Sequence, residues 1–84
     1  MRVLIIDDEP SIRKTTAVAL EGMGHVVEQA TCGKAGFRLL EASRFEIVLL
    51  DLKLEEENGL DLVPELLRRW PQLSIVVFTA FASI

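Results

Sequence analysis

The sequence holds a single cysteine, Cys32, so an internal disulfide is excluded. It has no apolar stretch near the ~20 residues that a membrane-spanning helix needs. It has no stripe of lysine and arginine along a helical pattern. The one basic pair, Arg68-Arg69, falls at a helix end, where cations suit the helix dipole. Direct nucleic-acid binding by this segment is therefore not expected. No leader sequence is expected, since Met1-Arg2 runs straight into a strand-like segment, and the expectation is a cytoplasmic protein. Internal repeats, low-complexity tracts and linkers are missing too.

What remains is 84 residues, half of them hydrophobic, with a net charge of −4. That is one small domain at most. The mean hydropathy of +0.34 is high for so short a soluble chain. Core-forming segments are abundant and polar surface is short, so the chain is expected to be a piece of a larger domain.

Four short apolar runs organise the chain: Val3-Leu-Ile-Ile6, His25 to Ala30, Ile47-Val-Leu-Leu50 and Ser74 to Thr79. All four read as strands, the second with a polar end, and the continuous run Ile47 to Leu50 reads as a strand buried on both faces. Helical patterns separate them. Pro10-Ser11 suits a helix start, and Ile12, Thr16, Ala19, Leu20 and Met23 then recur at helical spacing until Gly22 and Gly24 end the helix. A second helix is expected over about Lys34 to Ala42, capped by Thr31 or Cys32, with Gly36, Phe37 and Leu40 inward. Gly36 costs roughly 1 kcal/mol relative to alanine unless close packing needs it. A third helix runs to about Trp70, with Val63, Leu66, Leu67 and Trp70 buried. Pro64 delays its regular part to near Asp61, and Pro71 closes it. The order βαβαβαβ predicts an α/β fold with a parallel sheet and right-handed crossovers.

Polar groups stand at three strand ends: Asp7 and Asp8 after the first, Asp51 after the third, and Thr79 at the fourth. In a doubly wound sheet the first and third strands are neighbours at the switch point, where sites form. Three carboxylates there repel one another unless a cation neutralises them or one is protonated. Oxygen-only ligands of high negative charge suit Mg2+. A carboxylate beside such an ion can attack phosphorus and form an aspartyl phosphate. A hydroxyl at the fourth strand end can donate to a phosphoryl oxygen. The acidic run Glu55-Glu56-Glu57 reads instead as a solvated loop face, His25 as a surface residue, Cys32 as an inert buried or capping residue, and Trp70 as packing.

With these residues in place, the sequence resembles the receiver domain of two-component response regulators. The resemblance rests on Val3-Leu-Ile-Ile-Asp7-Asp8-Glu9, Ala30-Thr-Cys-Gly33, Ile47-Val-Leu-Leu-Asp51, Asn58-Gly59 and Ile75-Val-Val-Phe-Thr79-Ala80. Gly59-Leu-Asp-Leu and Thr79-Ala-Phe-Ala-Ser83 look most like receivers of the nitrogen-regulation class, which belong to transcriptional activators. The resemblance implies a flavodoxin-like, doubly wound parallel sheet of strand order 2-1-3-4. It implies that Asp51 is the phospho-acceptor, with Mg2+ bound by Asp8, Asp51 and the Lys53 backbone carbonyl, and by Asp7 through a water. Thr79 would be the switch hydroxyl and the Ala80 amide would contact the phosphoryl group. The donor would be a phosphohistidine on a sensor histidine kinase, docked largely on the first helix. The protein would be a regulated substrate, not an enzyme, and the class implies that it controls a transcriptional output domain. One place departs from the pattern: the usual proline four residues after the acceptor is Glu55 here.

The same resemblance implies a fifth strand and last helices that residues 1–84 do not reach, so this is expected to be a partial receiver. The expected consequences are an exposed edge on the fourth strand and self-association through that edge or a bare helical face, an exchanged dimer included. Weakened Mg2+ binding is expected as well. Two rival readings stand beside this one. The first is an Mg2+-dependent phosphohydrolase with an aspartyl nucleophile. It fits poorly, because such enzymes place a second acid two residues after the nucleophile and here Lys53 stands there. The second is an interaction module that is never phosphorylated, which the intact acid set disfavours.

Overall fold

The computed structural model describes residues 1–79. Four strands alternate with three helices: β1 (Arg2–Ile6), α1 (Pro10–Gly22), β2 (Val26–Ala30), α2 (Gly33–Ala42), β3 (Ile47–Asp51), α3 (Val63–Arg69) and β4 (Ser74–Phe78). A 3-10 turn at Gly59–Leu62 precedes α3. All neighbouring strands are parallel, in the order β2-β1-β3-β4, as the sequence predicts. The chain reverses its winding between β1 and β3, which places the switch point between them.

Alternation along β1 shows why the sheet is covered on both sides. Val3 and Ile5 pack with Ala17 of α1, flanked by Leu20, Val27 and Leu49. Leu4 and Ile6 point the other way, into a cluster with Leu40 of α2, Val48 and Leu50 of β3, and Leu66 of α3. Each such side chain, fully withdrawn from water, contributes about 1.5–3 kcal/mol of transfer free energy. The central pair β1 and β3 is therefore the rigid part of the molecule, and the acids at its carboxyl end inherit that rigidity.

The starts of the helices frame the same end of the sheet. Glu9 is the N-cap of α1, and its carboxylate accepts the Ser11 and Ile12 N–H groups at 3.2 and 3.1 Å. Pro10 follows in the first turn, where its missing N–H costs nothing. Gly24 closes the helix with a positive φ of 95°, a left-handed conformation natural to glycine. Cys32 stands at the N-cap of α2 but makes no side-chain capping bond, so the expected local cap is not formed.

Three residues of the helical patterns lie off the buried faces, Leu67 against the expectation of burial. Ala17, not Ala19, is the buried alanine of α1, because Ala17 faces β1 while Ala19 lies off the stripe. Met23 is 71% exposed, since it sits past the helix end. Leu67 is 44% exposed, at the rim of a short helix whose buried contact is Leu66. Trp70 does pack as expected, stacked on Phe37 with ring centroids 5.9 Å apart, and the Arg69 guanidinium lies over it.

Gly36 faces the sheet, and a methyl group there would lie 2.5 Å from the Ile6 Cδ1 and 3.0 Å from its Cγ1. Overpacking of this sort costs about 1–3 kcal/mol, against a gain of about 1 kcal/mol in helix propensity. Gly36→Ala is therefore expected to lower stability by about 1 kcal/mol, read as a lower urea midpoint. A midpoint equal to or above that of the parent would show that Ile6 moves aside freely.

Candidate functional site

Asp7 directly follows β1 and Asp51 ends β3. Ile6 pairs with Leu50 across the two strands, so the register carries both carboxylates to the same edge of the sheet. Asp7 is fully buried, Asp51 is 2% exposed, and Asp8 is half-buried. Each offers one carboxylate oxygen to a group in which all three atoms lie within 4.8 Å of one another. The three acids that the sequence singles out thus come together at one end of the sheet.

The backbone holds the acids tightly. The Asp7 N–H donates to the Ala30 carbonyl at 3.0 Å, and Asp7 Oδ1 accepts the Glu9 N–H at 2.9 Å. Arg13 reaches back from α1 and donates from a guanidinium nitrogen to the Asp7 carbonyl at 3.0 Å, while its Nε meets Gln29 Oε1 at 3.1 Å. Asp51 Oδ1 accepts the Lys53 N–H at 3.0 Å. Burial pushes the Asp7 carboxyl above the usual aspartate range; the Glu9 N–H pulls it back, and the negative charges of Asp51 and Asp8 add to the rise. Asp7 Oδ2 is buried without a hydrogen-bond partner among the described residues.

That orphaned oxygen is the observation against which a cation can be tested. A buried carboxylate oxygen without a donor costs free energy, and three anions within a few ångströms compound it. The donors are all oxygen, two from a rigid sheet and one from the loop beside it. This set fits a hard divalent cation.

Thr79 lies one residue beyond Phe78, which pairs with Asp51, and the Leu52 N–H donates to the Phe78 carbonyl at 2.8 Å. The hydroxyl-bearing residue therefore flanks the acid, half-buried at the end of β4. Lys53 follows Asp51 by two residues and bridges to Asn58 across the loop. Ala80, expected to contribute its amide, lies outside the described residues, as do Phe81 and Ile84.

The loop after Asp51 is closed by Gly59. Its N–H donates to the Leu52 carbonyl at 2.8 Å, and a methyl group on it would stand 2.1 Å from the Asp51 carbonyl oxygen. The acidic run within the loop is not uniformly solvated, contrary to expectation. Glu55 and Glu56 are exposed, but Glu57 is half-buried and its Oε2 accepts the Gly33 N–H at 2.8 Å. Sequence reasoning missed Glu57 and Arg13. An arginine one turn into a helix that starts beside the acid was a usable signal for Arg13. Nothing local distinguishes Glu57 from the two glutamates before it.

The family model for the response regulator receiver domain matches residues 3–84. The alginate biosynthesis transcriptional regulatory protein AlgB of Pseudomonas putida is 35% identical over 83 residues, covering 99% of this chain and 18% of the relative. This chain therefore spans less than a fifth of that relative's length. Among solved structures, a Burkholderia pseudomallei response regulator with a phosphorylated aspartic acid, calcium ion and citrate superposes with a TM-score of 0.90. It is 36% identical, over 99% of this chain and 49% of that one. The response regulator TrrA of Thermotoga maritima, in complex with Mg2+–BeF, superposes with a TM-score of 0.89 at 26% identity, over 96% of this chain and 70% of that one.

Proposed function

The chain belongs to the response regulator receiver family, and we propose that it works as a phospho-acceptor: Asp51 takes a phosphoryl group from a phosphohistidine on a sensor histidine kinase. Its relatives include activators of the nitrogen-regulation class, and the output it controls is proposed to be transcription. The observation that carries the reading is the trio Asp7, Asp8 and Asp51, held within 4.8 Å at the carboxyl end of the central strands.

In the transfer, a carboxylate oxygen of Asp51 forms a bond to phosphorus as the bond from phosphorus to the histidine nitrogen breaks, and the imidazole leaves with that electron pair. Asp51 Oδ1 is held by the Lys53 N–H, and this bond orients the carboxylate for attack. Burial on a rigid strand fixes its direction of attack. Asp8, Asp51 and the Lys53 carbonyl would hold Mg2+, with Asp7 acting through water. The ion would supply charge neutralisation for the incoming phosphoryl oxygens. Thr79, just past the end of β4 and close to Asp51, would donate its hydroxyl to the phosphoryl group, and Ala80 its amide. In this scheme the protein is a regulated substrate and turns over nothing else.

Self-association is proposed beside this role. It is supported by β4, which among the described residues stands at the edge of the sheet with Val76 and Val77 49% and 42% exposed on opposite faces.

Incubation with acetyl phosphate and Mg2+, followed by intact mass measurement, tests the function. The expected result is the gain of one phosphate that requires Mg2+. Steady release of inorganic phosphate from simple phosphate esters, without any mass gain, would instead show a phosphohydrolase.

A further inference from the structure

Two routes connect Asp7 to Asp51. The first is the direct pairing of β1 with β3. The second runs outside the sheet. From Asp51 the chain passes through the loop 52–58 to Glu57, whose carboxylate holds the Gly33 N–H at 2.8 Å. Gly33 begins α2, three residues after Ala30, and the Ala30 carbonyl holds the Asp7 N–H at 3.0 Å. The second route closes a ring around the acidic site, and Glu57 is the side chain that links loop to helix in it.

The fit at that link is close. A methyl group on Gly33 would lie 3.0 Å from Glu57 Oε1 and 2.9 Å from Leu62 Cδ1. Cys32, the residue placed to cap α2, leaves the helix amide to Glu57. The loop that Glu57 anchors also carries Lys53, whose N–H fixes Asp51 Oδ1. Glu57 and Asp8 line the same small depression beside Thr31 and Cys32.

We propose that Glu57 is a positioning residue for the acidic site: it straps the loop after Asp51 to the start of α2 and so holds Asp51, Lys53 and Asp7 in register for a divalent cation. The proposal rests on reading Asp7, Asp8 and Asp51 as the cation-holding group. A carboxylate at a helix N-terminus is also a cap, so the test separates strapping from capping.

Three variants suffice: Glu57→Ala, Glu57→Gln, and Glu57→Ala combined with Cys32→Ser, in which a serine hydroxyl caps α2 without touching the loop. Mg2+ affinity is read by calorimetry, stability by thermal unfolding, and loop order by amide exchange at Lys53. Glu57→Ala is expected to weaken Mg2+ binding about tenfold, the lower end for residues that act behind metal ligands. Exchange at Lys53 is expected to quicken. Glu57→Gln, which keeps the acceptor oxygen, is expected to restore affinity to within about twofold of the parent, given that it preserves this supporting hydrogen bond. The double variant is expected to recover thermal stability but not affinity. Recovery of both by Cys32→Ser, or unchanged Lys53 exchange in Glu57→Ala, would overturn the strap. A parent chain that binds no Mg2+ would defeat the cation reading, while Lys53 exchange would still decide the strap by itself.

Discussion

Replacing Asp7 with asparagine is expected to make the metal-free protein more stable and the cation site nearly useless. Asp7 is fully buried, one of its oxygens has no donor among the described residues, and two more carboxylates stand within reach of it. Asparagine keeps the oxygen that accepts the Glu9 N–H and presents an amide donor where the orphaned oxygen stood. Relief of a buried unsatisfied polar group amounts to about 1–3 kcal/mol. The pH dependence follows from the raised pKa of Asp7. The folded state binds this proton more tightly than the unfolded chain does. Asp7 therefore contributes most stability below its ordinary value of 3.8, and that contribution is lost as pH rises from there through the raised folded value. The difference in unfolding free energy between Asp7→Asn and the parent should grow across that window and then level off.

Mg2+ should reverse the ranking. At a hundred times its dissociation constant a ligand stabilises the state that binds it by about 2.7 kcal/mol. The parent is expected to gain that amount and Asp7→Asn very little. Thermal unfolding with and without Mg2+ checks both halves. A variant that is less stable than its parent without metal, or that keeps the full Mg2+ shift, would contradict the charge-crowding account.

Gly59→Ala is expected to be the most damaging single methyl group in the chain. The atoms it would meet are backbone: the Asp51 carbonyl oxygen at 2.1 Å, the Leu52 Cα at 2.9 Å and the Asp51 carbonyl carbon at 3.0 Å. None can rotate away as a side-chain tip can. Either the loop opens, losing the Gly59 to Leu52 hydrogen bond, or the end of β3 shifts and takes Asp51 with it. The expected cost is about 3 kcal/mol or more. In a domain of this size that lowers the melting temperature by more than about 10 °C. Gly22→Ala is the matched control, since a methyl group there meets nothing within 4 Å, and it should be neutral or mildly stabilising. Equal melting temperatures for the two variants would show that the loop accommodates the added carbon.

The acids were legible in the sequence because each directly follows or ends an apolar run, and parallel strands place such ends along one edge. The strand order followed from alternation together with the resemblance. The two helix faces were read less well. Ile12, Thr16 and Leu20 mark the correct stripe of α1, but Ala19 and Met23 share its composition without sharing its direction. Glu57 was out of reach for a different reason. Its partner is 24 residues away in sequence, across a loop closure that local pattern does not encode. The silence of Cys32 as a cap likewise depends on that distant carboxylate.

The central claim is that Asp51, and no other residue, carries the phosphoryl group. It is tested by loading the protein from acetyl phosphate with Mg2+, reducing the acyl phosphate with borohydride, and mapping the resulting homoserine by peptide sequencing. Homoserine at position 51, and no phosphate gained by Asp51→Asn, is the predicted result. Homoserine at position 7 or 8, or an undiminished mass gain in Asp51→Asn, would contradict it.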